Sequence, residues 1–186
     1  MNESTRKLTF SALLVSVMLV LGYVESLIPI PGIPGVKLGL SNSVLMLALY
    51  WMGVPSACVL MVCKVLLSGL MFGGVTSMLY AFVGGALSLA VMSLLIFLLK
   101  GFSPVGVGVA GAVSHNLGQV LVAIWVLGTS QLIYYLAVLT LIGLATGAAT
   151  GTLAMLLMKH IPPSVRQGVQ KPSKRSHEPP KQEEKQ

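Results

Sequence analysis

The sequence predicts an all-α integral membrane protein with six transmembrane helices, packed as a bundle. Three observations carry that prediction. Of 186 residues, 55% are hydrophobic and only 9% are charged, whereas a soluble domain carries about 25% charged residues. Mean hydropathy is +0.87. The apolar residues also fall in runs close to the roughly 20 that cross a bilayer as a helix. A water-soluble enzyme is excluded, because so few polar side chains could not cover its surface.

The first helix is predicted at residues 8–23, behind Arg6 and Lys7. It resembles a signal peptide in length, but further spans rather than a soluble domain follow it. Two Pro-Gly steps, Pro31-Gly32 and Pro34-Gly35, force tight turns before the second helix at residues 37–52. The third is predicted at 55–72, the fourth at 77–99, the fifth at 104–128 and the sixth at 131–158. Residues 1–161 thus form one transmembrane domain, and residues 162–186 form a polar tail. Rich in Pro, Lys, Gln and Glu and lacking an apolar period, that tail is expected to be disordered in the cytosol.

A formal charge of +7 would suit a nucleic-acid binder, but the placement of the basic residues argues against one. Arg6, Lys7, Lys100, Lys159 and the tail all fall on one side if the N-terminus is cytoplasmic. Only Glu25 and Lys37 then lie outside, so the positive-inside rule gives N-in, C-in. Tyr23, Trp125, Tyr134 and Tyr135 are expected at the outer interface, and Tyr50 and Trp51 at the inner one.

Every acidic residue is a Glu: Glu3, Glu25, Glu178, Glu183 and Glu184. Holding Mg²⁺ on a diphosphate takes a cluster of carboxylates, and only Glu25 lies in the apolar body, at a helix end where a carboxylate is expected to be solvated. No metal site is expected. Cys58 and Cys63 lack a CxxC spacing and read as small packing residues. Nor does His115 have a nucleophile beside it, and the Gly-rich stretches lack a Walker pattern. The sequence reads as a non-enzyme that needs no cofactor.

Ionisable and amide side chains inside a bilayer are costly and usually face a cavity or partner. Lys64 lies roughly 14 Å and His115 roughly 16 Å above the inner ends of their helices, so both reach the midplane. His115 and Gln119 share a helix face with Gly111 and Gly108, and Asn116 is adjacent. These three polar residues either bond between helices or line a ligand pocket. Glu25 is a candidate counter-ion for Lys37 or Lys64. The stripe Gly143, Gly147, Gly151 suits close helix packing, as do Gly69–Gly73 and Tyr80–Gly84–Ser88. Ala12 and Ser16 form a small-xxx-small pair that reads either as packing or as a docking face. Lys37 beside the first turn of the second helix makes a plausible anion site.

The stretch Pro34-Gly35-Val36-Lys37-Leu38-Gly39-Leu40-Ser41-Asn42 resembles the PGxKLGLxN signature of the Gx transporter family. Tyr80-Ala81-Phe82-Val83-Gly84-Gly85 and His115-Asn116-Leu117-Gly118-Gln119 are similar to later segments of that family. Its members also carry the label heptaprenyl diphosphate synthase component I, and are similar to the substrate-binding (S) components of energy-coupling-factor transporters. The resemblance spans most of the membrane body. It implies a multi-pass subunit of the bacterial inner membrane that takes a small-molecule solute from outside. It further implies that Ala12 and Ser16 dock on a membrane coupling subunit driven by ATPases. Lys37, Asn42, Lys64, Tyr80, His115, Asn116 and Gln119 are the expected lining residues, and the two lysines point to a solute with an anionic group. The competing expectation is a scaffold for a prenyl synthase or for a quinone- and flavin-based electron-export assembly. An autonomous proton-coupled carrier using Glu25 and His115 is a third.

Overall fold

The computed structural model describes residues 3–28, 39–99 and 101–161. They are 92% helical, with no strand among them. The helices are α1 (Glu3–Ser26), α2 (Asn42–Met52), α3 (Val54–Ser68), α4 (Gly74–Ser93), α5 (Pro104–Leu127) and α6 (Ile133–His160). A π-helical turn, Gly69–Gly73, joins α3 to α4, and a second, Leu94–Leu99, extends α4.

By length and apolarity, four helical stretches are able to cross a membrane: Ser4–Ser26, Val54–Leu99, Pro104–Leu127 and Ser130–His160. The 46-residue stretch Val54–Leu99 is folded back on itself. Gly74 has φ +70°, a conformation L side chains rarely adopt, and it breaks the helix there. Gly85 then packs on Met61 and Gly69 on Met78, as an antiparallel hairpin requires.

Helix α2 is shorter than predicted. Its expected start, Lys37, lies outside the described residues, as do the two Pro-Gly steps, Lys100 and the tail. Gly39 has φ +83°, so the chain is still turning there and enters the helix only at Asn42. Ser103 starts α5 by accepting a hydrogen bond from the Gly106 N–H at 3.1 Å, with Pro104 following where no backbone donor is needed. Gly128 ends α5, its N–H donating to the Ile124 carbonyl at 2.9 Å.

Packing follows the small residues. A Cβ placed on Gly108 would lie 2.6 Å from the Gly147 carbonyl oxygen and 2.8 Å from Gly151 Cα. The α5 and α6 backbones are therefore in direct contact, which is how membrane helices gain dispersion energy when lipid is as apolar as leucine. The Gly143–Gly147–Gly151 stripe is an intramolecular seam, as expected. The predicted single stripe on α5 divides instead: Gly108 faces α6, whereas Gly111 meets Met92 and Ser88 of α4.

Leu14, Met18, Gly22 and Glu25 form the buried stripe of α1, each three or four residues from the next. One hydrophobic cluster holds Leu14, Met18, most of α2, Met92, Val107 and Ala154, with Phe10, Leu95, Leu157 and Ile161 packed against it. A second holds Tyr80, Val120, Ala123, Leu132 and Leu139. The first brings the start of α1 and the end of α6 to one end of the bundle, where Arg6, Lys7 and Lys159 also lie. Tyr23, Trp125 and Tyr134 are exposed, near the opposite ends of their helices. Trp51 departs from its expected interfacial place: it is buried and its ring lies 5.8 Å from that of Phe10. Cys58 and Cys63 depart too, being exposed on the bundle surface rather than packed inside.

Candidate functional site

Polar side chains gather where the start of α2 meets the middle of α4 and α5. A Cβ on Gly39 would touch both Asn42 Nδ2 at 3.2 Å and His115 Cδ2 at 3.5 Å. This glycine therefore brings the Asn42 amide and the His115 ring to the same place. Across the site, a Cβ on Gly84 would lie 3.0 Å from His115 Cε1 and 3.0 Å from Gln119 Cγ. Gly118 meets Gly84 from the other side, with its Cβ position 2.8 Å from Gly84 Cα. The two glycines let α4 and α5 close, and so fix the depth at which His115 and Gln119 sit.

His115 Nε2 and Gln119 Nε2 are 3.0 Å apart, one helical turn along α5. The bond forms in either of two proton arrangements. In one, the Gln119 amide donates to a bare Nε2, leaving Nδ1–H as a donor and the Gln119 oxygen as an acceptor. In the other, the amide is turned over and both roles reverse. Either way the pair presents at least one free donor and one free acceptor. The His115 ring lies against Gly84, and its Nδ1 meets no partner at hydrogen-bond geometry.

Most polar atoms of the cluster share that condition. Asn42 Nδ2 and Oδ1, Ser41 Oγ, His115 Nδ1 and Gln119 Oε1 are buried without a hydrogen-bond partner in the protein. Asn42 is 6%, His115 2% and Gln119 1% exposed, so bulk solvent does not reach them. A buried polar group left unpaired costs about 1–3 kcal/mol. Several at one place are what a site built to be completed by another molecule has.

The other predicted residues divide. Lys64 is buried on α3 and is already engaged within the protein. Asn116 points away, donating through Nδ2 to the Leu139 carbonyl of α6 at 2.7 Å. It braces α5 against α6, although its Oδ1 also has no partner. Tyr80 belongs to the second hydrophobic cluster. Lys37 lies outside the described residues.

Glu25 is the residue whose role the sequence concealed. Expected to be solvated at a helix end, it is buried, 3% exposed. Its Oε1 accepts the Ser41 N–H at 3.0 Å, next to the first residue of α2. The carboxylate thus occupies part of the helix N-terminus that the sequence offered to an anionic solute. Only its place on the Leu14–Met18–Gly22 stripe, 11 residues beyond Leu14, could have indicated burial. Among the described residues no three His, Cys, Asp or Glu side chains converge on a metal-sized site.

Ala12 and Ser16 lie on the outward side of α1, where they help line a groove of about 700 Å³ between α1 and α3. Its walls are mostly apolar, with Leu8, Val15, Leu19, Val59 and Leu67 along it and Lys7 at one end.

A family model described as heptaprenyl diphosphate synthase component I matches residues 14–157, about three quarters of the chain. No curated protein and no solved structure matches it.

Proposed function

The chain belongs to the heptaprenyl diphosphate synthase component I family, the Gx transporter-like family, and from that premise we propose that it is the solute-binding membrane subunit of an uptake transporter. One observation carries the reading: the buried, hydrogen-bond-deficient cluster of Ser41, Asn42, His115 and Gln119. Structural polar residues in a membrane bundle satisfy one another, and those left short mark pathways and binding sites.

In this reading the hairpin α3–α4 contributes two crossings and α2 one, giving six spans. The positive-inside rule, applied to Arg6, Lys7 and Lys159, supports both ends of the domain lying on the cytoplasmic side of the bacterial cell membrane. The start of α2, and with it the polar cluster, then opens toward the outer face, from which a solute enters. The subunit is not an enzyme. Energy comes from separate coupling and ATPase subunits, and the groove bearing Ala12 and Ser16 is the face that docks them.

The family description favours a second reading, an accessory subunit that holds a heptaprenyl diphosphate synthase at the membrane; a scaffold for an electron-export assembly is the variant that the sequence resemblance adds. Affinity capture from mild-detergent membranes, with mass spectrometry of the proteins recovered, separates the two. A membrane coupling protein and paired ATPases are expected, and they should be lost when Ala12→Leu and Ser16→Leu fill the groove. Recovery of a soluble prenyl synthase or of redox subunits, unaffected by that double substitution, overturns the transporter reading.

A further inference from the structure

Building on the solute-binding reading, we propose that the molecule recognised between α2, α4 and α5 is uncharged and carries a hydrogen-bond donor beside an acceptor, as an amide or lactam edge does. Two independent observations lead there. The first is charge balance. Among the described residues the buried formal charges are Glu25 and Lys64, one of each sign. The described interior therefore carries no net formal charge, and both side chains are already engaged within the protein. Set against the described residues, an anionic solute would add one uncompensated charge to a low-dielectric site, which is heavily penalised. The amide donor that would have attracted it, the Ser41 N–H, is taken by Glu25.

The second observation is the inventory of unmet hydrogen bonds. Asn42 offers both its amide donor and its carbonyl acceptor. The His115–Gln119 pair offers at least one donor and one acceptor in either proton arrangement. Two donor–acceptor pairs thus stand unmet, one on α2 and one on α5, with Gly39 bringing Asn42 and His115 together. An ionised carboxylate or phosphate only accepts, and would leave the Asn42 and Gln119 oxygens unpaired. An ammonium only donates, and would fail at the donors. A group with both functions side by side meets both sets.

The test uses matched probes that differ in charge but little in shape: nicotinamide against nicotinate, and benzamide against benzoate. Each is added at millimolar concentration to the full-length protein in detergent, and the melting midpoint is followed. The amides are expected to raise the midpoint by about 3 °C, the effect of a tenfold excess over Kd in a chain of this size. The carboxylates should not, and Asn42→Leu should abolish the rise while still melting cooperatively. Equal or greater stabilisation by the carboxylates overturns the inference, and so does the absence of a shift with either amide. The underlying reading is checked separately, by mass spectrometry of small molecules released when the purified protein is denatured. A released anion overturns this inference alone. Release of none, together with capture of a prenyl synthase, overturns the solute-binding reading as well.

Discussion

Replacing Gly84 by alanine tests whether close backbone contact sets the site. The added methyl would lie 2.8 Å from the His115 carbonyl oxygen, 3.0 Å from the His115 ring and 3.0 Å from Gln119 Cγ. Ordinary van der Waals contact begins at 3.4 Å, so α4 and α5 must part by about half an ångström. Sliding offers no relief, because Gly118 is itself packed on the Gly84 backbone. Overpacking of this kind costs roughly 1–3 kcal/mol, offset by up to about 1 kcal/mol from alanine's better helix propensity. The net expectation is a loss of about 1–2 kcal/mol, read as a fall of several degrees in the melting midpoint of detergent-purified protein. Gly22→Ala supplies the internal control. Its methyl meets nothing nearer than Phe72 Cζ at 3.9 Å, so helix propensity acts alone and the variant should be unchanged or slightly more stable. The two glycines thus give opposite signs in one assay. If Gly84→Ala melts with Gly22→Ala, backbone contact is not what fixes the α4–α5 distance.

Three further substitutions separate the roles of the buried polar residues. Asn42→Leu removes two unpartnered polar atoms while keeping the same branched heavy-atom skeleton, so the solute-free protein should melt higher, by the equivalent of about 1–3 kcal/mol; a lower midpoint would mean that Asn42 is structural. Glu25→Ala strips the acceptor from the buried Ser41 N–H and should cost about 1–3 kcal/mol, seen in the same melts and as faster proteolysis between α1 and α2. Asn116→Ala removes the 2.7 Å bond to Leu139 and should lower stability by about 1–2 kcal/mol. Nicotinamide stabilisation should survive that change, and its loss would return Asn116 to the solute site.

The helices themselves were legible in the sequence, because hydropathy and small-residue spacing are local quantities. Residues 104–128 and 131–158 were placed to within a few residues of α5 and α6. The glycine stripe of α6 packs as its spacing implied. The four-residue spacing of His115 and Gln119 was enough to expect both on one face, and they meet.

What the sequence left open was the partner of each polar group. Asn116 stands one residue from His115, yet the 100° step between them turns it onto α6. Trp51 had the composition of an interfacial anchor, but Phe10, some 40 residues earlier, packs against it. The start of α2 had a lysine and a free N-terminus in sequence, and it was Glu25, sixteen residues upstream, that reached the Ser41 amide. Bilayer hydrophobicity dictates which segments become helices, since each must satisfy its own backbone. It does not dictate which faces touch. That is decided by where Gly84, Gly118, Gly108 and Gly147 allow backbones to close, and the buried polar groups pair, or stay unpaired, accordingly.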